Sequence, residues 1–161
     1  MRMLPFSRSM ASEVAIFLKT SRNYAPETIE CESVDENIQY FEEAFAMSAD
    51  GGLSFVVQDS NGHICSFVTI DHRINRKGNS AAYVTGLYVN LENEVERIIE
   101  KTMQIIRHNL DSNTMLYVNV HPASSDAVAV WQNLGYSYDP SASDFTNCDG
   151  ERIYAYKHSA I

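Results

Sequence analysis

Three side chains in this 161-residue sequence carry groups that can exchange a proton and stand in or beside strand-like runs: His121, Tyr83 and Tyr138. His121 closes the run Leu116-Tyr117-Val118-Asn119-Val120, at the end of a strand. An imidazole titrating near neutrality suits general-base work. The plain alternative is a strand-end histidine that hydrogen-bonds locally. Tyr83 and Tyr138 offer phenols for acid or base work, with packing as their alternative reading. His72 is a weaker candidate for the same task, and His63, His108 and His158 read as solvated. Cys31, Cys65 and Cys148 are too few and too scattered for a disulfide framework or a zinc site, so no metal is expected. Their odd number fits a reducing, cytoplasmic setting.

Charge narrows the function classes further. Lys and Arg number 12 against 21 Asp and Glu, a formal net charge of -9. Binding to a phosphate backbone depends on basic side chains, so nucleic acid is not an expected partner. Glu92, Glu94, Glu96 and Glu100 form an acidic run that reads first as a solvated helix face. Arg73, Arg76 and Lys77 form a compact basic patch, most simply a solvated loop. No window approaches the ~18 apolar residues of a membrane span. Glu13 interrupts the early apolar stretch, which argues against a secretory leader. Dinucleotide-fold, P-loop, nucleophile-elbow and zinc-protease motifs do not occur.

The elements that must position these groups follow from periodicity and turn residues. At 45% apolar and 20% charged, the chain has the composition of one globular domain spanning residues 1–161. Residues 3–7 read as a short strand, and 11–22 as a helix with Val14, Phe17 and Leu18 on one face. A second helix is expected over 36–48, capped by Asp35, with Ile38, Phe41 and Phe45 at helical spacing. Ser54–Asp59 and His63–His72 are strands joined at Ser60-Asn61-Gly62, because Asn-Gly tolerates the positive φ of a hairpin turn. Ala81–Val89 is a third strand, with Gly86 marking a bulge or close approach. Over 94–109, Val95, Ile98, Ile99, Thr102, Met103 and Ile106 give the strongest helical stripe, with Asn93 and Glu96 fitting an N-terminal cap. Thr114–Val120 is a strand. Ser124 or Ser125 caps a helix over 126–134 that Gly135 stops, and Tyr136–Asp139 with Arg152–His158 form a last strand pair. The order predicts an α/β (α+β mixed) fold: a mixed sheet flanked by helices, with some parallel pairing in the second half.

The run Val120-His121-Pro122-Ala123-Ser124-Ser125-Asp126-Ala127-Val128-Ala129-Val130-Trp131-Gln132-Asn133-Leu134-Gly135-Tyr136 resembles the strand–helix segment near the end of GNAT-type N-acetyltransferases. Ala127, Trp131 and Leu134-Gly135-Tyr136 match the family pattern, and Ser124 stands at its Asn position. The hairpin at Asn61-Gly62, the strands ICSFVTI and AAYVTGLYV and the long helix after them occur in the family's order. The resemblance covers about residues 50–140. It implies a GNAT-like, mostly antiparallel sheet in which the parallel strands 81–89 and 114–120 splay. It implies acyl transfer, most simply acetyl from acetyl-CoA, to a small-molecule or protein amine, by a monomer or homodimer. Leu87, Tyr88 and Val89 would contact pantetheine, and residues 93–99, among them Arg97, Ile98 and Ile99, would cradle the pyrophosphate on the helix N-terminus. Ser124 and Trp131 would be further cofactor contacts, Trp131 standing where the family often has a general-acid Tyr; Tyr83 falls near the place some branches give a Glu base, and His121, ending the strand that would line the cleft, would be the base for amine deprotonation.

The cradle departs from the family. Its Arg/Gln position holds Glu94, and its two glycine positions hold Arg97 and Ile99. Carboxylates at Glu92, Glu94 and Glu96 stabilise a helix N-terminus by ~0.3–1 kcal/mol each. They also repel a pyrophosphate, by about 1 kcal/mol per pair at 4 Å in water. The alternative these residues raise is a GNAT-like module without catalysis that binds or regulates a protein partner.

Overall fold

The structure, a computed structural model, describes residues 1–26, 54–74, 78–90, 94–143 and 152–159. The helix expected over 36–48, Cys31, Cys148, Arg76, Lys77, Glu92 and Asn93 lie outside the described residues.

The described strands are β1 (Arg2–Pro5), β2 (Ser21–Asn23), β3 (Ser54–Gln58), β4 (Ile64–Ile74), β5 (Ser80–Asn90), β6 (Met115–Asn119), β7 (Tyr136–Tyr138) and β8 (Ala155–His158). The described α-helices are α1 (Ala11–Lys19), α2 (Val95–Asn109) and α3 (Ser125–Asn133). The strands form one open sheet in the order β1-β3-β4-β5-β6-β8-β7, with β2 added against β5. Among the described strands only β5 and β6 run parallel; the other pairs are antiparallel.

The hairpin forms where Asn-Gly predicts it. Gly62 takes φ 81°, and the Asp59 carboxylate accepts from the amides of Asn61 and His63 at 2.9 and 3.0 Å. The first helix is shorter than its pattern over 11–22. It ends at Lys19, the Ser21 hydroxyl turns back to donate to the Phe17 carbonyl at 2.6 Å, and residues 21–23 become β2. The apolar stripe ends at Leu18, so nothing beyond it holds the helix against the sheet.

A bulge in β5 changes which residues face which side. The pairing steps from Thr69↔Gly86 to Ile70↔Val84, leaving Thr85 as the extra residue. Ala82 and Val84 before it and Leu87 and Val89 after it therefore enter one cluster, with Val68, Leu116 and Val118. That cluster is closed by Ile99, Met103 and Ile106 of α2 and Trp131 of α3. On the opposite face Phe6, Val56, Phe67 and Tyr88 pack with Val14, Phe17 and Leu18 of α1.

Candidate functional site

The parallel ladder between β5 and β6 is short. It runs Ala81↔Met115, Ala82↔Leu116, Tyr83↔Tyr117 and Val84↔Val118, and stops at the bulge. β5 continues to Asn90 with β4 on one edge, while β6 turns away toward His121. The edge of β5 facing β6 is thereby released from Thr85 onward, which gives the splayed pair that the resemblance implies.

The chain itself fills the gap. A strand has two edges; β4 holds one, so β2 lies on the edge that β6 has left, paired Ser21↔Asn90, Arg22↔Val89 and Asn23↔Tyr88. Asn23 Oδ1 accepts from the amides of Leu87 and Ala25 at 3.1 and 2.9 Å. The Tyr24 amide donates to the Leu87 carbonyl at 2.7 Å. On the far side Trp131 Nε1 donates to the Tyr24 carbonyl at 2.6 Å, and the His121 amide donates to the Pro26 carbonyl at 3.0 Å. Arg22 pairs with Asp126 of α3 at 3.6 Å. Tyr24 and Ala25 are buried. Residues 21–26 thus form a strap from β5 across to the end of β6 and to α3.

At the start of α2 the backbone makes a sharp departure. Glu94 has φ 75°, alone among the described non-glycine residues in being positive, and its carboxylate accepts from Arg97 at 2.7 Å. The Ile98 amide donates to the Glu94 carbonyl, so the amides of Val95, Glu96 and Arg97 are the ones the helix leaves without an intrahelical acceptor. The expected cradle residues divide accordingly. Arg97 is at the surface, held by Glu94; Ile98 lies a turn inside the helix; Ile99 is completely buried in the core, facing away from any ligand at the helix end.

The candidate proton-transfer groups are separated. Tyr83 stacks on Tyr117 at 5.1 Å and donates to the Ala142 carbonyl at 3.0 Å. Burial, with the neighbouring Tyr117 second, raises its pKa above the ordinary phenol value, so it remains a neutral donor. It lies on the paired half of β5, below the splay. His121 is at the end of β6, and its Nδ1 accepts from the Ala123 amide at 3.1 Å. In the neutral ring Nε2 then carries the hydrogen, so that atom faces outward as a donor. Tyr138, half exposed on β7, joins His121 only indirectly: both rings meet Tyr154, at 6.3 and 5.3 Å, and Arg152 lies over the same ring at 5.4 Å. His72 is at the opposite end of the sheet, opposite Ala82, on the lip of a cavity of about 440 Å³ lined by Met3, Ile70, Ile106 and Leu110. Ser124 precedes α3 without capping it through its side chain. Trp131 is fully buried, edge-on to Tyr136 at 4.9 Å. Burial, and secondarily Glu100, pushes the Tyr136 phenol up to about 12. Among the described residues no His, Cys, Asp and Glu cluster could hold a metal, and no helix is long and apolar enough to cross a membrane.

An open, mostly antiparallel sheet, one parallel pair that splays at a bulge, and a helix launched from the released strand define the architecture. The fold is that of the GNAT-type N-acetyltransferases. A GNAT-family acetyltransferase from Streptococcus agalactiae superposes with TM-score 0.65 over 98% of this chain and 95% of its own, at 9% identity. An acetyltransferase from Thermus thermophilus gives 0.63 over 97% and 95%, at 10% identity. Naa20 of Chaetomium thermophilum, in complex with a bisubstrate analogue, gives 0.55 over 98% and 86%, at 14% identity. No protein-family model and no curated protein matches the sequence.

Coenzyme A, the cofactor this fold implies, does not fit the GNAT cleft as these residues arrange it. Leu87, Tyr88 and Val89, the expected pantetheine contacts, face a strand edge that is already paired with β2. The helix end that would meet the pyrophosphate carries Glu94 and Glu96, and its Arg97 is neutralised by Glu94. Reasoning from sequence missed Arg22, Asn23 and Tyr24, because a three-residue strand leaves no periodicity and here follows directly on a helical stripe.

Proposed function

We propose that the chain is a single GNAT-like domain acting as a non-catalytic binding or regulatory module with a protein partner. One observation carries this reading: both backbone groups of Leu87 are bonded within the chain, its amide to Asn23 and its carbonyl to Tyr24. The edge that would hold an acyl thioester is therefore satisfied from inside. The net charge of -9 favours a basic face on the partner. Cys65, a free thiol whose pKa burial raises, accords with a reducing cytoplasm. The test is thermal unfolding with millimolar acetyl-CoA or coenzyme A. A ligand at about 100 times its dissociation constant adds about 2.7 kcal/mol. No shift is expected, and a rise of several degrees would overturn the reading.

A second reading is acyl transfer, most simply acetyl, from coenzyme A to a small-molecule or protein amine. It is favoured by the splay of β5 from β6 beyond Val84 and Val118 and by the bulge at Thr85. Under it His121 would work through its Nε2 hydrogen. Release of free thiol from acetyl-CoA in the presence of amines, above the rate without protein, would decide in its favour.

A further inference from the structure

We propose that the cavity at the end of the sheet away from the splay is a binding site for a small organic monocation, an ammonium group carried on an apolar ring. Its volume of about 440 Å³ falls within the ~300–1,000 Å³ of small-molecule pockets. Ser80, on its rim, opens β5. At about 3.3 Å per residue, Ser80 stands about 17 Å from Thr85, where the splay begins. The site is thus separate from the cleft, and the inference holds whether or not the cleft takes coenzyme A.

The cavity exists because the sheet outruns its helix. β4 and β5 each extend for 11 residues, and α2 covers them only as far as Asn109. Ile70, His72 and Ile74 share one face of β4 by the two-residue strand period. Ile70 is in the core under α2, His72 is exposed, and Ile74 is 77% exposed. Met3 of β1, Phe55 of β3 and Leu110 after α2 pack against the same core yet stay only partly buried, because they line the cavity with Ile70 and Ile106. These apolar walls suit a hydrocarbon ring.

The mouth has a different chemistry. Asp111, Asn109 and His72 line it, with Ser80 and Thr114, which bond to each other at 3.3 Å; no lysine or arginine does. The exposed Asp111 carboxylate is in no ion pair or hydrogen bond among the described residues. Arg107 is committed to backbone instead: it donates to the Asp111 and Thr114 carbonyls, which fixes the turn after α2. Asn109 Nδ2 donates to the Ile105 carbonyl at 2.8 Å, so its oxygen is the atom left for a ligand. The C-terminal end of α2, negative by its dipole, opens at the same mouth. Acceptors and negative charge above an apolar chamber select a cationic donor with an apolar body, and an anion is repelled there.

The experiment titrates the full chain with naphthylmethylammonium, naphthylacetate and naphthylmethanol, one ring with a cationic, an anionic and a neutral head, followed by NMR and calorimetry. The ammonium should bind about tenfold more tightly than the carboxylate, since Asp111 attracts one and repels the other. The largest shifts should fall at Ile70, Ile106 and Leu110. Asp111→Asn leaves the backbone carbonyl that Arg107 holds. It should weaken the ammonium about fivefold, the effect of one half-exposed ion pair, and leave naphthylmethanol unchanged. Equal binding of the three heads, no binding of any, or an Asp111→Asn variant that holds the ammonium as tightly as the unaltered chain overturns the assignment. The net charge of -9 attracts cations diffusely, so an ammonium that shifts other surfaces and not Ile70, Ile106 and Leu110 overturns it too. Ser80→Phe obstructs the mouth from a strand position, which accepts aromatic side chains, and should abolish binding of all three probes. A folded Ser80→Phe variant that still binds them places the site elsewhere and refutes the proposal.

Discussion

Trp131→Phe is the most direct probe of how the strap is held. The indole N–H donates to the Tyr24 carbonyl at 2.6 Å, and both residues are buried. Phenylalanine keeps an aromatic ring against Tyr136 but removes the donor. A buried carbonyl left without its partner costs about 1–3 kcal/mol. The smaller ring leaves a void of order 40 Å³, which at about 24 cal/mol per Å³ adds about 1 kcal/mol. The expected loss is therefore about 2–4 kcal/mol, a large share of the ~5–15 kcal/mol that holds a domain together. Urea titration reads it as a lower midpoint with an unchanged slope. In a cycle with Asn23→Ala, the two losses should be non-additive by more than about 0.5 kcal/mol, because both side chains hold the same six residues. A loss below about 1 kcal/mol, or strict additivity, would show that the Tyr24 carbonyl finds water and that the strap is not held from α3.

Three further outcomes are expected. Glu94→Gly should raise stability by up to about 1 kcal/mol: relief of a left-handed conformation worth about 1–2 kcal/mol outweighs a surface pair worth about 0.2–1 kcal/mol, and urea titration measures the difference. Ile99→Gly should cost about 3–6 kcal/mol, from a cavity in the core plus about 1 kcal/mol of helix propensity, so restoring the family's second glycine weakens the fold before it can help an anion; Arg97→Gly should cost only about 1 kcal/mol. At the hairpin, the amide of His63 first, and that of Asn61, hold the Asp59 carboxyl below its ordinary value of 3.8. A depressed carboxyl pKa stabilises the fold above the unfolded value and ceases to do so as pH falls through the folded one. An NMR titration of Asp59 should therefore show a midpoint below 3.8, with the His63 and Asn61 amide shifts following it.

Periodicity and turn chemistry determined the frame. Val95 to Ile106 at helical spacing produced α2 because that face buries Ile99, Thr102, Met103 and Ile106 with Val95 and Ile98 packed beside them, and Asn61-Gly62 produced the hairpin because few other residues accept its positive φ. Gly135, at φ 90°, ends α3 for the same reason. The run through Trp131 to Tyr136, with the hairpin, strands and long helix before it, carried the resemblance that implied a GNAT-like sheet with one splayed parallel pair. The acidic, glycine-free start of α2 was equally legible, since charge and side-chain size are written in the residues.

Tertiary structure alone decided what occupies the splay. Which neighbour meets the His121 ring is not written in the run that precedes it, and it is the Ala123 amide, which donates to Nδ1. Whether Ile99 faces a ligand or the core depends on helix phase relative to the sheet, and it faces the core. Ser21-Arg22-Asn23 carries no strand signal of its own; it becomes a strand because β5 has an unpaired edge there, and an unpaired backbone edge in a buried gap is costly until something pairs with it. That demand arises only once β6 has turned away, so local sequence specifies the strands while their divergence selects the segment that joins them.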